Sequence, residues 1–405
     1  MAIIVQKYGG TSVGTPEKIK KVASRIAKDR AKGNDVVVIV SAMGHSTDEL
    51  IDLMHKITDN PDPREYDMLL STGEQVSASL LTMAIHALGY KAVSLTGWQA
   101  GVHTEDIPSK ARITHIKLGR IQKELGDGKI VIVTGFQGVD HNGDITTIGR
   151  GGSDTSAVVI AAALKADVCE IYTDVDGVYS TDPRIVPDAK KLPVISYEEM
   201  LELASLGAQV LHPRSIECAK NYGLVIHLRS SSSDKQGTLI KEVKEMEKKD
   251  VVSGVAVDSN IAKVGILKIQ DKPGSASKLF TALGEAKVNV DMIIQSVHSA
   301  GSLADMAFTV SKPDMKKAVQ VTKKVAEELK AEGVTSDDNV AKVSIVGVGM
   351  ISKPGVAATM FSALAKNKIN IEMISTSEIK ISCVVKADQG KKAVEILHKE
   401  FNLSK

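Results

Sequence analysis

The chain has 405 residues, more than one compact domain normally holds, so we expect two or three domains. Basic residues number 51 and acidic residues 49, which gives a net charge of +2. This balance, with only 3% aromatic residues, argues against a large nucleic-acid-binding surface.

Three widely separated cysteines, Cys169, Cys218 and Cys383, predict free thiols rather than a disulfide framework or a zinc site. The start of the chain shows no signal-peptide pattern. Its apolar runs are far shorter than the roughly 20 residues that a membrane-spanning helix needs. We therefore expect a cytoplasmic protein.

The first part of the chain, to about residue 230, alternates between strand-like and helical patterns. The predicted strands are continuous apolar runs, typical of strands buried on both faces of a parallel sheet: Ile3–Lys7, Val36–Ser41, Ala92–Thr96, Ile130–Gly135, Val168–Thr173 and Leu224–Leu228. The predicted helices are Pro16–Asp29, with Thr15 as its N-cap, Glu74–Gly89 and Asp154–Ala166. Alternating strands and helices predict a three-layer α/β/α sandwich with a mainly parallel sheet.

A change of composition marks a domain boundary near residue 240. Four successive serines lie within Arg229–Asp234, and Lys241–Asp250 is almost wholly charged. Such segments are typical of solvated linkers or exposed helices.

An internal repeat follows this boundary. The segments Lys272–Ser296 and Lys353–Ser377 are identical at twelve of 25 aligned positions, at a spacing of 81 residues. Each follows an apolar strand, turns at Pro-Gly and continues as an amphipathic helix into a second strand. The pattern predicts two βαββαβ modules of ferredoxin-like type.

Two glycine-rich clusters lie between predicted strands and helices. The first, Lys7–Ser12, places a lysine and two glycines before a helix, as an anion site would, but such a turn is as often only a turn. The second, Thr147–Ser156, combines glycines with Arg150, which can grip a carboxylate or phosphate with two hydrogen bonds. The alternative is an ordinary capped helix, with Asp154 or Ser153 as the cap.

Three further clusters follow or precede buried elements. Thr173–Arg184 gathers Asp, Gly and Pro residues where open α/β sheets bind ligands, although Asp-Gly and Asp-Pro are also common turn sequences. Ser41–Gly44, with Thr47 nearby, follows a buried strand. Ser71–Glu74 begins a long apolar helix, where Glu74 alone could simply complement the helix dipole.

Together these clusters resemble the amino-acid-kinase family, and within it the aspartate kinases. The matching segments are KYGGTSVG at Lys7–Gly14, VSAMG at Val40–Gly44, STGEQVSA at Ser71–Ala78, GRGGSDTSA at Gly149–Ala157 and TDVDGVYSTDPR at Thr173–Arg184. The repeated modules resemble paired ACT domains. The resemblance covers essentially the whole chain.

The resemblance implies ATP-dependent phosphorylation of the side-chain carboxylate of L-aspartate to 4-phospho-L-aspartate, the first step of lysine, threonine and methionine biosynthesis. It implies catalytic roles for Lys7 and Asp154. The implied ATP-binding residues are Lys7, Tyr8, Gly9, Gly10, Thr173, Asp174, Tyr179, Asp182 and Arg184. The implied aspartate-binding residues are Ser41, Thr47, Glu74, Arg150, Gly151, Gly152 and Ser153.

The nucleophile of such a reaction is a carboxylate with a reference pKa of about 3.9, so no general base is needed. Mg²⁺ is expected as an ion carried by ATP, and no dedicated protein metal site is expected. Many aspartate kinases carry lysine where this chain has Gln209, which puts any phosphate contact of that lysine in doubt here. His212 has no metal-ligand partner at useful spacing, and we interpret it as structural.

For the regulatory half, the resemblance implies feedback inhibition by lysine, threonine or both, and a homo-oligomer formed through ACT domains. The implied effector residues are Asp271, Lys272, Pro273, Gly274, Ser275, Ala276, Asn289, Asp291 and Gln295. The second repeat has Ser352 in place of Asp271, so it is expected to bind differently or to form only a turn.

The expected domains are a catalytic domain at 1–240, a linker with a first regulatory strand at 241–260, and ACT modules at 261–335 and 336–405. A strand at 250–260 is a candidate to complete the second module, which would place the first inside it. Met246 could start a shorter regulatory chain from the same gene.

Three alternative functions fit the sequence less well. An acetylglutamate kinase would not need Glu74, because an acylated amine has no charge for a carboxylate to hold. An amino-acid sensor with an inactive kinase half conflicts with the intact Lys7, Arg150 and Asp174. A dehydrogenase rests only on Gly347-Val348-Gly349, which lacks the remaining glycine of a dinucleotide loop.

Overall fold

The computed structural model of the chain describes residues 2–206, 210–243, 250–298 and 303–404. Gln209 and Met246, on which two of the expectations depend, lie outside these residues. The described chain divides into two compact units, with residues 2–178, 191–204 and 210–243 in the first, and 179–190, 205–206 and the described residues from 250 onward in the second. Within the described ranges, no helix is long and apolar enough to cross a bilayer.

The first unit contains most of the strands and helices that precede residue 243. Its strands are β1 (Ile3–Tyr8), β2 (Asp35–Val40), β3 (Ala92–Leu95), β4 (Val102–Thr104), β5 (Ile113–Ile116), β6 (Ile130–Thr134), β7 (Gln137–Val139), β8 (Ile145–Thr147), β9 (Val168–Thr173), β10 (Val178–Tyr179), β11 (Lys191–Leu192), β12 (Val194–Ile195), β13 (Ile226–Ser230) and β14 (Thr238–Ile240). Its helices are α1 (Pro16–Ala31), α2 (Ser46–His55), α3 (Pro63–Leu70), α4 (Thr72–Ala87), α5 (Gly119–Gly126), α6 (Gly152–Leu164), α7 (Tyr197–Ser205) and α8 (Pro213–Tyr222). Short 3₁₀ turns occupy Gly10–Ser12, Lys312–Asp314, Val348–Met350 and Ala387–Gln389.

The main sheet has eight strands in the order β12-β14-β13-β9-β1-β2-β6-β3. Its six strands from β13 to β3 are all parallel to their neighbours, and only the pair β13–β14 is antiparallel. This arrangement confirms the predicted sandwich with a mainly parallel sheet. The carboxyl ends of β1, β2, β6, β9 and β13 meet at one edge, where the predicted clusters begin. A second sheet, β5-β4-β7-β8, leads into the loop before α6.

Helices cover both faces of the main sheet. On one face, α1 and α4 bury apolar residues against Tyr8, Val36, Val38 and Val40. On the other face, α6 packs against β1, β2 and β9, with α8 beside it. Because β-strand side chains alternate between faces, Lys7 and Tyr8 point to opposite sides of the sheet.

Helix boundaries differ from the predictions in ways that local chemistry explains. Thr15 caps α1 as predicted, its side chain accepting a hydrogen bond from the Lys18 N–H. The suggestion that Asp154 or Ser153 caps α6 is wrong, because Gly151 occupies the N-cap position in a left-handed conformation and no side chain caps the helix. Asp154 is therefore free to act elsewhere.

The second unit contains β15 (Gly254–Asp258), β16 (Ile261–Gln270), β17 (Ile293–His298), β18 (Leu303–Ser311), β19 (Gly333–Asp337), β20 (Val340–Val346), β21 (Met373–Thr376) and β22 (Lys380–Lys386). Its helices are α9 (Ser275–Glu285), α10 (Met315–Glu328), α11 (Val356–Lys366) and α12 (Gly390–Glu400). They form two four-stranded sheets, β17-β18-β16-β19 and β15-β20-β22-β21.

The two modules differ in where their last strand comes from. In the first module, β19 follows α10 and pairs with β16. In the second module, β15 takes the equivalent place by pairing with β20, although it precedes the first module in the chain. In the sequence, the whole first module, from β16 to β19, is thus inserted between β15 and β20, which are neighbouring strands of the second module's sheet.

The segment 179–190, which begins with the last residue of β10, folds with the second unit although it comes soon after β9 in sequence. Ile185 and Val186 pack against the apolar core of the second module. The Ser180 hydroxyl donates to the Leu403 carbonyl at 3.0 Å and accepts from the Lys190 N–H at 2.9 Å. The C-terminal residues therefore hold this segment in place.

Candidate active site

A buried ion pair lies at the carboxyl end of β1. The Lys7 Nζ is 2.6 Å from a carboxylate oxygen of Asp154, and each side chain is only 10–13% exposed. Lys7 is the second-last residue of β1, and Asp154 lies in the first turn of α6. In such surroundings an ion pair is poorly screened by solvent and keeps both groups charged and oriented.

Glycines beside this pair leave room for a ligand to approach the backbone. A Cβ on Gly10 would lie 2.7 Å from the Ala42 carbonyl oxygen, so no larger residue fits between the β1 and β2 ends. A Cβ on Gly9 would stand 3.5 Å from the Lys7 Nζ. The glycine therefore keeps the space next to the ammonium open, as a phosphate-binding turn requires.

Glu74 is a buried carboxylate with one unused oxygen. Only 3% of the residue is exposed, and its Oε1 accepts a hydrogen bond from the Ala42 N–H at 3.1 Å. Its Oε2 is buried without a hydrogen-bond partner among the described residues. Burial raises the Glu74 pKa to about 7, although the Ala42 hydrogen bond acts in the opposite direction. A cationic ligand would satisfy the free oxygen and restore the charge.

The Ser41–Thr47 segment sits beside Glu74. The Ser77 hydroxyl, one turn along α4 from Glu74, donates to the Ser41 carbonyl at 2.7 Å, which ties α4 to the end of β2. Thr47 lies in the first turn of α2 and is partly exposed. Ser41 and Thr47, which the sequence resemblance implied as aspartate-binding residues, therefore follow the same strand end that Glu74 contacts through Ala42.

The loop before α6 presents Arg150 to solvent between two glycines with positive φ, Gly149 at 81° and Gly151 at 71°. A Cβ on Gly151 would lie 2.2 Å from the His212 ring, so only glycine allows the loop to pack there. The His212 ring also accepts a hydrogen bond from the Arg214 N–H and caps α8. These contacts fit the structural role predicted for His212. Gly152 and Ser153 follow as the first buried residues of α6.

Asp67 stabilises the start of this loop through hydrogen bonds, and no sequence motif had predicted a role for it. Its buried carboxylate accepts hydrogen bonds from the N–H groups of Ser109 and Thr147 at 2.8 and 2.7 Å, and from both of their hydroxyls. Thr147 precedes Arg150 by three residues. Asp67 therefore fixes the strand end from which the arginine loop departs. A single acidic residue within a short helix carries no sequence signal of such a role.

The predicted nucleotide residues divide between the two units. Thr173 is the last residue of β9 and Asp174 follows it, both in the first unit, where the Thr173 hydroxyl accepts from the Val175 N–H at 3.1 Å. Tyr179, Asp182 and Arg184 belong to the segment that folds with the second unit. There Asp182 caps a turn and pairs with the Arg184 guanidinium at 2.7 Å, which lowers the Asp182 pKa.

Within the second unit, a cavity of about 340 Å³ opens at the first Pro-Gly turn. It is lined by seven of the nine predicted effector residues: Asp271, Lys272, Pro273, Gly274, Ser275, Ala276 and Gln295. The Gln295 amide donates to Asp271 at 3.1 Å. The cavity lining does not include Asn289 or Asp291, and Asp291 instead pairs with Lys342 of the second module.

One group of potential metal ligands occurs among the described residues, formed by Asp106, Asp140 and His141. Asp140 already accepts hydrogen bonds from the N–H groups of Asn142 and Asp144, as a turn-stabilising aspartate does. The group lies at the β7–β8 turn, and nothing in its geometry points to a role in phosphoryl transfer.

Comparison with known proteins agrees with this fold. The amino acid kinase family model matches residues 2–230, and two ACT domain models match residues 265–327 and 343–401. The chain is 54% identical to an aspartokinase of a Bacillus species and 53% identical to aspartokinase 2 of Bacillus subtilis, covering all of this chain and 98–99% of theirs. It is 50% identical to the aspartokinase of Thermus thermophilus over the full length of both.

Solved structures give the same result. A crystal structure of aspartate kinase from Synechocystis is 48% identical, with a TM-score of 0.56 over 99% of this chain and 70% of that one. A structure of E. coli aspartokinase III in complex with lysine and aspartate is 25% identical, with a TM-score of 0.77 over 98% of this chain and 99% of that one. The matched families, their order and the full-length identity together place the chain in the amino acid kinase family, among the aspartokinases that carry two C-terminal ACT domains.

Proposed function

We propose that the protein transfers the γ-phosphoryl group of ATP to the side-chain carboxylate of L-aspartate, giving 4-phospho-L-aspartate and ADP. A carboxylate oxygen attacks the γ-phosphorus while the bond from phosphorus to the β,γ-bridging oxygen breaks, and ADP leaves with that electron pair. No proton has to move, because the attacking carboxylate is already ionised at neutral pH. The relatives named aspartokinase support the choice of this reaction.

The observation that carries the proposal is the unused buried oxygen of Glu74. An amino-acid substrate with a free ammonium group supplies the cation that this carboxylate lacks, whereas an acylated amine does not. Arg150, exposed on its rigid loop, is suited to hold the substrate's α-carboxylate with two hydrogen bonds. The E. coli relative, which was crystallised with aspartate, supports the same substrate.

Lys7 is proposed to offset the negative charge that develops during transfer. This charge is spread over the phosphoryl group, the attacking carboxylate oxygen and the leaving β,γ-bridging oxygen. Phosphoryl transfer depends mainly on positioning and on such charge stabilisation. Asp154 holds the Lys7 ammonium in place through the 2.6 Å ion pair. The glycines at 9 and 10 let the nucleotide phosphates approach the backbone, and Thr173 and Asp174, with Tyr179, Asp182 and Arg184, complete the proposed nucleotide set. Mg²⁺ would arrive bound to the ATP phosphates and share in neutralising them.

The cavity at the first Pro-Gly turn of the second unit is proposed to bind the feedback inhibitor, which is lysine, threonine or both. Asp271 and Gln295 can hold an ammonium group, and the first N–H groups of α9 can hold a carboxylate, because they precede the first intrahelical hydrogen bond from Lys278 to Gly274. The lysine in the E. coli crystal structure supports a role for lysine. We further propose the domain limits given above, a homo-oligomer formed through the ACT modules and a cytoplasmic location.

The test is ADP release from Mg²⁺·ATP with aspartate, glutamate or acetylglutamate as acceptor, with hydroxylamine to trap the acyl phosphate. We expect turnover with aspartate, which Lys7→Met abolishes and Lys20→Met, at an exposed position of α1, leaves unchanged. Turnover with acetylglutamate instead would replace the proposed substrate. Saturable binding of an amino acid without any turnover would identify a sensor rather than a kinase.

A further inference from the structure

A cavity in the first unit lies between α1 and the carboxyl ends of β9 and β13, and Asp174 is the one member of the implied nucleotide set in its lining. Its volume is about 690 Å³, within the range of small-molecule sites. Tyr172 forms part of its wall and stacks on Tyr8, with ring centroids 4.7 Å apart. Because Tyr8 and Lys7 point to opposite faces of the sheet, this groove lies across the sheet from the Lys7–Asp154 pair.

The groove is strongly cationic in a chain that is nearly neutral. Five basic residues of the α1 segment line it at helical spacing: Lys18, Lys21, Arg25, Lys28 and Lys32. Arg229 from β13 is the sixth, while only three carboxylates, Asp29, Asp174 and Asp234, share the lining. The excess of three positive charges contrasts with a net charge of +2 for all 405 residues. Such a concentration attracts anions.

Two of these cations are not held by a hydrogen bond or an ion pair in the described part of the protein. The terminal nitrogens of the Arg25 guanidinium are already hydrogen-bonded, because they donate to three serine carbonyls of the 230–233 segment and to Asp234. Lys32 pairs with Asp29, and Lys18 donates to the Thr11 carbonyl. Lys21 and Lys28 make no hydrogen bond or ion pair with any residue in the described ranges.

Buried polar atoms without partners surround the same groove. Ser12, which is 3% exposed and lines the cavity, has a hydroxyl with no hydrogen-bond partner in the described chain. The same holds for the Nε of Arg229, another lining residue. Buried polar groups are nearly always paired in folded proteins, so two unpaired ones on residues that line one cavity indicate a missing partner.

The chemistry of these atoms identifies the partner. Each unpaired atom carries a hydrogen that it can donate, and the two free lysines are donors as well. A ligand rich in acceptor oxygens and negative charge satisfies all of them. The cavity is larger than a single phosphate ion requires, and the ligand therefore has several oxyanion groups or one oxyanion group on a small organic body.

We propose that this groove binds a phosphate-bearing anion, separately from the nucleotide and aspartate sites. Lys21 and Lys28 supply charge from α1, while Ser12 and Arg229 supply buried donors from the opposite wall. The proposal is independent of the aspartate reaction and stands whichever acceptor the enzyme uses.

The experiment is isothermal titration of the full-length protein, kept saturated with ADP so that the nucleotide site is filled. Two probes distinguish the possible sources: tripolyphosphate represents an inorganic polyanion, and ribose 5-phosphate an organic phosphate ester. The test variant is Lys21→Gln/Lys28→Gln. The matched control, Lys20→Gln/Lys123→Gln, removes the same charge from exposed lysines outside the groove. Ser12→Ala is a second variant that removes a buried donor without changing charge.

We expect at least one probe to bind, with affinity weakened about tenfold in Lys21→Gln/Lys28→Gln, as the loss of two partly solvated ion pairs predicts. Ser12→Ala should also weaken binding, and the control should match the unaltered protein. The better-bound probe identifies the source of the ligand. Equal weakening in test and control variants, binding that ADP abolishes, or binding of neither probe would each overturn the proposal.

Discussion

Lys7 and Asp154 form an ion pair of 2.6 Å across the junction of β1 and α6, with about nine-tenths of each side chain buried. The pair links the two glycine-rich clusters of the sequence, because Lys7 begins one and Asp154 belongs to the other. Because Gly151 holds the N-cap position of α6 without a side chain, Asp154 in the first turn is available to pair with the lysine.

The first prediction concerns Asp154→Asn, which keeps the shape of the side chain and removes its charge. The Lys7 ammonium then loses its electrostatic partner and its fixed position, so we expect kcat to fall roughly a hundredfold, the typical effect of removing one transition-state interaction. A loss of about 3 kcal/mol in the free energy of unfolding should accompany it, because a buried charge is left unpaired. Steady-state kinetics well below the unfolding temperature measure the first effect, and denaturant unfolding the second.

The control for this variant is Asp35→Asn. Asp35 pairs with Arg30 at 2.7 Å in the same unit but takes no part in the site. Its variant should keep kcat. If Asp154→Asn retained full kcat, or if both variants lost it equally, Asp154 would have no particular role in catalysis.

The second prediction concerns pH. The pKa of Glu74 is raised to about 7 by burial, so in the free enzyme the carboxylate is protonated below that pH and cannot hold an ammonium group. We expect kcat/KM for aspartate to increase as pH rises through about 7 and then to level off. Glu74→Gln should show a low and flat profile over the same range.

Glu124→Gln provides the comparison for this profile. Glu124 is also buried, but it is held by Arg120 and Lys129 away from the site, and its pKa is lowered. The Glu124→Gln profile should follow that of the unaltered enzyme. A Glu74→Gln profile parallel to the unaltered one would assign the pH dependence to the nucleotide instead.

The sequence predicted the parts of the molecule that depend on local pattern. Continuous apolar runs such as that of β2 indicated a buried parallel sheet, and Thr15 before Pro16 indicated where α1 begins. The repeat indicated two modules, because each copy carries its own Pro-Gly turn and helix. In each of these cases the signal and the structure lie within about 25 neighbouring residues.

Features that depend on distant pairing were not predictable in the same way. The pairing of β15 with β20 across the whole first module was expected only from the resemblance to paired ACT domains, not from any local pattern. Segment 179–190 joins the core of the second unit through contacts that leave no periodic signal in the sequence. Asp67 is a single acidic residue in α3. Its role appears only when Ser109 and Thr147 are brought to it by the fold.

The third prediction tests Asp67 as a residue that positions Arg150. In Asp67→Asn one carboxylate oxygen becomes an amide that cannot accept, so hydrogen bonds from Thr147 and Ser109 are lost and the loop loosens. We expect the KM for aspartate to rise about tenfold, while the KM for ATP changes little. Unfolding should show a loss of about 1–3 kcal/mol, as for other buried groups left unpaired.

Asp140→Asn separates this effect from general destabilisation. Asp140 is buried in the β7–β8 turn, on the strand pair that Thr147 ends, and accepts two backbone hydrogen bonds. Its variant should lose similar stability without a change in the aspartate KM. Equal changes in both KM values for Asp67→Asn would show that Asp67 does not act through the arginine loop.

The fourth prediction concerns His398, which is 99% buried on α12 and lies 2.9 Å from the Ser180 hydroxyl. That hydroxyl gives its hydrogen to the Leu403 carbonyl, so the neutral histidine must donate from Nε2. Burial lowers the His398 pKa below the unfolded value of about 6.5. The neutral form therefore contributes stability above pH 6.5, which is lost as pH falls through the folded pKa.

Thermal unfolding between pH 7.5 and 5.5 measures this contribution. We expect His398→Gln, whose amide can still donate to Ser180, to reduce the acid-induced fall in Tm. Part of the fall should remain, because burial also lowers the pKa of His103, His212 and His227. His86→Gln, at an exposed position, should leave the fall unchanged. Identical curves for His398→Gln and the unaltered protein would show that His398 does not titrate in this range.

The fifth prediction concerns feedback inhibition. Asp271 lines the 340 Å³ cavity with Gln295, and Asp271→Ala removes the only carboxylate among the described lining residues that can hold an effector's ammonium group. We expect inhibition by lysine or threonine to weaken at least tenfold, as loss of a charge-assisted hydrogen bond predicts, with uninhibited kcat and KM unchanged. Inhibition curves at fixed aspartate and ATP concentrations give the measurement.

Ser352→Ala is the matched variant at the equivalent position of the second module. The turns are alike, with Gly274 at φ 99° and Gly355 at φ 90°, but Ser352 offers no charge to an ammonium group. Inhibition should therefore survive in Ser352→Ala. If inhibition survived in Asp271→Ala and was lost in Ser352→Ala, the effector would bind the second module. If every amino acid inhibited both variants as it inhibits the unaltered enzyme, neither Pro-Gly turn would be the effector site.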